Sequence, residues 1–134
     1  MTLLEVDHLV NDWLATYAAM SPHTFNVLEF TDHGFTFLFD LAQVNAPEVD
    51  DRLVAAYGLS HPQPRRRDAV RIRGYLGGGI EIPGKGQFDK GHALAHAMGG
   101  GLDANLFPQR PDLNRGRSEA GKLYRRMERY ASEH

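Results

Sequence analysis

The residue types that could do chemistry are concentrated between positions 89 and 116 of this 134-residue chain. A histidine there follows a glycine, which can take a positive φ and turn the chain sharply, and histidine can accept a proton from water near neutral pH. Asn and Gln oxygens suit a hard, hydrated cation such as Mg²⁺. Together with nearby arginines, these groups fit metal-assisted phosphodiester hydrolysis. These residues lie in four short segments. In chain order they are Asp89-Lys90-Gly91-His92, Gly99-Gly100, Asn105-Leu106-Phe107-Pro108-Gln109 and Leu113-Asn114-Arg115-Gly116.

These segments, in this order and at this spacing, resemble the core of the DNA/RNA non-specific endonucleases, whose ββα-metal fold also occurs in bacterial polymorphic toxins. The resemblance covers about residues 70 to 131. It implies an α+β fold with a ββα-metal nuclease core, in which His92 is the general base and Asn114 is the direct ligand of Mg²⁺ or Mn²⁺. It also implies that Asn105 and Gln109 brace the loop and the cleft, and that Asp89 helps to orient the histidine segment.

The chain departs from the family pattern at two positions. Lys90 stands where the family usually has arginine, which keeps the charge but loses the planar fork that binds phosphate. The family tends to have an acidic residue about two helical turns beyond the metal-binding asparagine, where this chain has Lys122. Glu119 is the nearest carboxylate that could replace it as a metal ligand. Glu128 would lie about 21 Å from Asn114 along a continuous helix.

Several cationic residues are candidates for phosphate binding. We expect Lys90, together with Arg73 or Arg115, to clamp the scissile phosphate, with Arg73 on a predicted strand over residues 69–76. Clustered arginine supplies sequence-independent affinity for nucleic acid. The residues predicted to contact the phosphate backbone of the nucleic acid are Arg65, Arg66, Arg67 and Lys85. For the three arginines, the alternative is a solvated basic linker.

The net charge of −2 conceals an uneven distribution along the chain. Residues 1–63 contain nine acidic residues and only Arg52 as a basic one, a net charge of −8, whereas residues 64–134 have a net charge of +6. Pro62 and Pro64 mark a boundary. We therefore predict an acidic N-terminal α/β module over 1–63 and a basic nuclease-like core over 64–134. A single compact domain in which the two halves complement each other is the alternative.

The N-terminal part is predicted to form a helix-hairpin-helix accessory layer. Val6, Val10, Trp13 and Tyr17 have helical spacing within residues 3–19. Two aromatic and β-branched segments, 24–30 and 35–41, flank a turn at residues 31–34 and predict a β-hairpin. A second helix is predicted from Asn45-Ala46-Pro47 onward, with Val49, Leu53 and Tyr57 on one face and Gly58 as its end.

The C-terminal part is predicted to contain a second strand over residues 87–97, a loop over 102–116 and a terminal helix. Starting at Asn114 or Ser118, this helix would present Asn114 to the metal, although an N-cap is an alternative role for that asparagine. Zinc binding by His92 and His96, four residues apart, is the weaker possibility because no third strong ligand is evident. The predicted inward-facing residues of this helix are Leu123, Met127 and either Tyr130 or Ala131. The residues predicted to lie at the boundary or outside are Lys122, Arg125, Arg126 and Arg129.

Composition narrows the class of protein further. The chain has no Cys, so disulfides and thiolate metal sites are excluded. The first ten residues contain two acidic and no basic residues, which does not fit a secretory signal, and no apolar segment is long enough to span a membrane. We therefore expect no membrane partner, and a location that is cytoplasmic or reached by export without a cleaved signal peptide.

The leading hypothesis is a metal-dependent non-specific nuclease acting on DNA, RNA or both. By resemblance, it could be a bacterial toxin module with an inhibitor (immunity) protein as partner. One alternative is a catalytically degenerate ββα module that binds nucleic acid or a protein without cleavage. Another is an interaction domain whose acidic N-terminal part holds a basic partner.

Overall fold

A computed structural model describes residues 3–62, 80–82 and 84–134 and has a mixed α+β fold. Two three-stranded antiparallel sheets are formed, with strand orders β1-β2-β3 and β4-β5-β6. The α+β class is confirmed, and the ββα-metal core stays a prediction. The elements are α1 (Leu3–Met20), β1 (Val27–Asp32), β2 (Phe35–Asp40), β3 (Arg52–Gly58), β4 (Ile80–Ile82), β5 (Gly86–His92), β6 (Leu106–Gln109), α2 (Pro111–Asn114) and α3 (Glu119–Glu133).

Internal contacts divide the chain into two compact units. The first consists of Met1–Thr31 and Thr36–Tyr57, and the second of Asp32–Phe35 and Gly58–His134. The predicted division after residue 63 stays a prediction. Within the described part of the chain, no helix has both the length and the apolar character needed to cross a membrane.

The first unit is built around a buried carboxylate. Asp40, at the end of β2, is fully buried and accepts hydrogen bonds from the Tyr17 hydroxyl at 2.6 Å and from the backbone N–H of Asn26 at 3.0 Å. The His23 ring lies 3.0 Å from the same carboxylate. The indole N–H of Trp13 donates to the carbonyl of Val54 at 2.8 Å, which links α1 to β3. The predicted first helix is confirmed.

The predicted hairpin is also confirmed. His33 and Gly34 form a two-residue connection between β1 and β2, and both have positive φ, 51° and 80°. Tight hairpins favour this backbone because it matches the twist of the strands, and glycine adopts it without steric cost.

The second predicted helix of the N-terminal part is wrong. Residues 42–44 form one 3₁₀ turn, and β3 then occupies Arg52–Gly58. Asn45, predicted to begin the helix, instead donates a side-chain hydrogen bond to the carbonyl of Thr24 at 2.6 Å. Pairing beside β2 in the sheet outweighs the local helix signal, so the accessory layer is a helix with a sheet.

The sheet of the second unit places β5 between β4 and β6, with both pairings antiparallel. The predicted second strand is too long, because β5 ends at His92 and 3₁₀ turns follow at His96–Met98 and Asp103–Asn105. The predicted loop over 102–116 also contains β6 and α2. In the register of β5 with β6, Asp89 is opposite Gln109 and His92 is opposite Leu106. The predicted strand over 69–76 lies outside the described residues.

The terminal helix α3 is separate from α2. Its N-cap is Ser118, whose hydroxyl oxygen accepts from the backbone N–H of Gly121 at 3.1 Å. Gly116, with φ of 66°, turns the chain between the two helices. Gly121 packs so closely on α2 that a Cβ there would lie 2.6 Å from the carbonyl oxygen of Asp112. The predicted start of the long helix at Ser118 is confirmed, whereas Asn114 ends α2 and does not lie in the first turn of α3.

The predicted inner face of α3 is wrong for three of its residues, whereas the alternative Ala131 is half-buried. Leu123, Met127 and Tyr130 are 49%, 60% and 66% exposed. The helix instead turns Gly121 and Tyr124 toward the rest of the second unit, since Gly121 meets α2 and the Tyr124 hydroxyl reaches β5. In this orientation, the polar residues Arg125, Glu128 and Arg129 lie on the side of α3 near the end of β5.

Candidate functional site

A hydrogen-bonded group joins β5 to the end of α2. The Asp89 carboxylate accepts from the Asn114 amide at 3.0 Å and from the Arg115 guanidinium at 2.7 and 2.6 Å. Since a carboxylate only accepts, the NH₂ end of Asn114 must face Asp89, which fixes the direction of its amide oxygen. The hydrogen bonds from Arg115 lower the pKa of Asp89, and the hydrogen bond from Asn114 lowers it further. Partial burial acts in the opposite direction but is outweighed. This keeps it ionised at neutral pH.

Asn114 also lines a cleft of about 520 Å³ between the end of β5 and α3. His92 lines the same cleft, so the predicted base and the predicted metal ligand share one cavity. Three cationic side chains and one carboxylate are among the residues around it. The described lining residues are Lys90, His92, Ala95, His96, Ala97, Asn114, Arg125, Glu128, Arg129 and Ser132.

The backbone of His92 is held from α3. The Tyr124 hydroxyl donates to the carbonyl of His92 at 2.7 Å. Burial raises the pKa of Tyr124, and the nearby charge of Glu128 raises it further. The Tyr124 hydroxyl therefore keeps its proton at neutral pH. The Nε2 atom of the His92 ring is buried. Action as a base through that atom would require water to enter beside the ring.

Gly91 is needed for close packing. The expected sharp turn at this position is wrong, because Gly91 continues β5 without a positive φ. A Cβ at Gly91 would lie 2.6 Å from the Cβ of Gln109 on the neighbouring strand. Gln109 is 3% exposed. The missing methyl group of Gly91 therefore lets Gln109 pack beneath the cleft.

Asn105 closes the loop that follows His92. It is completely buried, and its amide oxygen accepts from the backbone N–H of Leu94 at 2.8 Å. Its amide nitrogen donates to the carbonyls of Leu94 at 2.8 Å and Gly101 at 2.9 Å. A Cβ at Gly100 would collide with the Leu94 carbonyl. Asn105 and the glycines thus hold the turn that carries Ala95, His96 and Ala97 to the cleft.

Other predicted residues lie elsewhere. Arg115 faces Asp89 and is not among the described residues that line the cleft. Glu119 is likewise absent from that lining; its side chain is 90% exposed and pairs with Lys122 at 2.5 Å. Lys85 is exposed in the turn after β4. The candidates outside the described residues are Arg65, Arg66, Arg67 and Arg73.

The α3 residues of the cleft were missed as site residues in the sequence analysis. Arg125, Glu128, Arg129 and Ser132 follow a spacing of three or four, which places them on one helical face and could have indicated them. The estimate that separated Glu128 from Asn114 assumed one continuous helix. Because the chain turns at Gly116, α3 returns beside α2, and the Arg125 guanidinium donates to the Asn114 carbonyl at 3.1 Å.

The oxygen atoms that the cleft residues could offer to a metal suit a hard cation that keeps most of its bound water. Asn114 supplies one neutral oxygen with a fixed direction, and Glu128 supplies a carboxylate in the same cavity. No group of three or more His, Asp or Glu side chains placed to hold a metal is found among the described residues. His92 ends a strand and His96 begins a 3₁₀ turn, so the helical histidine pair considered for zinc is not formed.

Comparisons with protein-family models, curated proteins and solved structures found no match to this chain.

Proposed function

We propose that this protein is a metal-dependent nuclease of broad specificity that hydrolyses phosphodiester bonds of DNA, RNA or both. The observation that carries the proposal is that His92 and Asn114 line one cleft, with the Asn114 amide turned by Asp89. The three cations around the cleft supply the charge that a phosphodiester substrate requires.

In the proposed reaction, His92 takes a proton from a water molecule that attacks the phosphorus. Asn114 would hold Mg²⁺ or Mn²⁺ through its amide oxygen, with Glu128 as a carboxylate in the same cleft. The bound cation would polarise the phosphate and stabilise charge on the leaving oxygen. Lys90 and Arg125 bind the non-bridging phosphate oxygens, and Arg115 acts indirectly by holding Asp89.

The setting of this activity is proposed from the family resemblance alone. A bacterial toxin module would require an inhibitor protein in the producing cell.

The decisive experiment incubates the purified protein with plasmid DNA and with RNA, in Mg²⁺, in Mn²⁺ and in EDTA. We expect cleavage that requires the metal and falls by at least about 100-fold in His92→Ala and in Asn114→Ala. His8→Ala and Asn11→Ala, at positions exposed on α1, are matched controls and should cleave normally. Undiminished cleavage in EDTA or by His92→Ala would falsify the mechanism.

A second candidate is a catalytically degenerate module that binds nucleic acid or a protein without cutting. It is favoured by Lys122, which stands where the family tends to have an acid and pairs with Glu119. Such a protein would retard labelled DNA or RNA in a gel and leave the strand lengths unchanged in the presence of Mg²⁺.

A further inference from the structure

Two arginines form a row on the face of α3 that lines the cleft. Arg125 and Arg129 are four residues apart, which separates them by about 6 Å along the helix axis. Both are exposed and both line the cleft. This separation is comparable with the distance between neighbouring phosphates of an extended polynucleotide strand.

The row has a defined direction relative to the proposed catalytic residues. Arg125 donates to the carbonyl of Asn114 at 3.1 Å, so this end of the row lies beside the proposed metal ligand. Arg129 lies one turn farther along α3. A phosphate at Arg125 would therefore be close to His92 and Asn114, and a phosphate at Arg129 would be the next one along the strand.

The charge balance of the cleft favours an anionic strand. Lys90, Arg125 and Arg129 carry three positive charges, whereas Glu128 carries one negative charge, so the charged lining has a net charge of +2. Arginine also presents a planar fork of donors that binds two phosphate oxygens at once.

We propose that Arg129 binds the phosphate adjacent to the scissile one, so that the cleft recognises two successive phosphates of a polynucleotide strand running along α3. The inference rests on the proposed function, because the scissile phosphate is placed by His92 and Asn114. It goes further by assigning a second phosphate subsite to Arg129. It also makes polynucleotides better substrates than phosphodiesters with a single phosphate.

The first test compares Arg129→Gln with Arg126→Gln. Arg126 is exposed on the same helix but is not among the described residues that line the cleft, which makes it a matched control. With single-stranded DNA, Arg129→Gln should raise KM about tenfold and leave kcat almost unchanged. With bis(p-nitrophenyl) phosphate, which has one phosphate, the rise in KM for Arg129→Gln should be smaller, less than about threefold, and Arg126→Gln should match wild type on both substrates. An equal loss on both substrates in Arg129→Gln would overturn the inference.

The second test does not depend on cleavage. Binding of a fluorescent single-stranded oligonucleotide in EDTA is measured over a series of salt concentrations, after circular dichroism has verified that each variant folds. Arg129→Gln should make the slope of log K against log salt shallower by about 0.7, the value for one phosphate contact. Arg126→Gln should change it by less than half as much.

An unchanged slope in Arg129→Gln, equal changes in both variants, or no binding by wild type would overturn the second subsite. If wild type cleaves neither substrate, the proposed function fails, whereas the binding slopes still decide on Arg129.

Discussion

The amide of Asn114 donates to the carboxylate of Asp89 at 3.0 Å, and this one bond fixes the direction of the Asn114 amide oxygen. Asp89 is held in turn by Arg115, the next residue after Asn114. Loss of a partner that orients a metal ligand typically lowers metal affinity or activity by about 10- to 100-fold. The orientation of Asn114 therefore leads to a direct prediction.

Asp89→Asn should raise the Mg²⁺ concentration needed for half-maximal cleavage by about tenfold, because the amide of Asn114 loses its ionised acceptor. Mn²⁺ binding followed by electron paramagnetic resonance gives the same comparison without cleavage. Asp112→Asn is the control, since it removes the charge of a carboxylate that pairs with the exposed Arg110 and not with Asn114. Equal metal affinity in wild type and Asp89→Asn would show that Asp89 does not orient the ligand.

Asn105→Ala should lower the free energy of unfolding by about 3 kcal/mol, since three hydrogen bonds are lost and their backbone partners are left buried. Urea unfolding measures this change. Asn45→Ala, which removes one exposed hydrogen bond to Thr24, should lower it by less than about 1 kcal/mol. A similar loss in the two variants would contradict the role of Asn105 in closing the loop.

Asp40 should make the stability of the protein sensitive to acid. Burial alone would raise its pKa, but hydrogen bonds from Tyr17, the Asn26 N–H and His23 lower it below the usual value of 3.8. A lowered pKa in the folded state gives stability that is fully present above about pH 4 and is lost as the pH falls through the folded value.

Asp40→Asn should therefore be less stable than wild type by about 2 kcal/mol at pH 7, and this difference should shrink toward pH 2. Urea unfolding at several pH values measures it. Asp50→Asn, at an exposed position, is the control and should keep a pH dependence close to that of wild type. A difference that stays constant with pH would mean that Asp40 does not titrate as stated.

Local patterns predicted the elements whose signals are contained in a few neighbouring residues. The spacing of Val10, Trp13 and Tyr17 indicated α1, and the residues around His33-Gly34 indicated the hairpin. β3 was missed because Asn45-Ala46-Pro47 resembles a helix start, whereas the strand depends on pairing with β2, which no local pattern reveals.

The candidate site was predicted only in part for the same reason. His92 and Asn114 stand out by residue type and motif, and they line one cleft. The bond between Asp89 and Asn114 joins residues 25 positions apart, so chain order alone could not indicate it. The part played by α3 depended on the turn at Gly116, which the distance expected between Asn114 and Glu128 did not include.

Gly121 is not among the described residues that line the cleft, yet its close packing holds α3, one wall of the cleft, against α2. Its missing methyl group lets the first turn of α3 rest on the carbonyls of α2. A larger side chain at this position would collide with the carbonyls of α2 and displace α3. Arg125, Glu128 and Arg129 would then move away from Asn114 together. A residue outside the described lining of the cleft therefore helps to hold α3 beside Asn114.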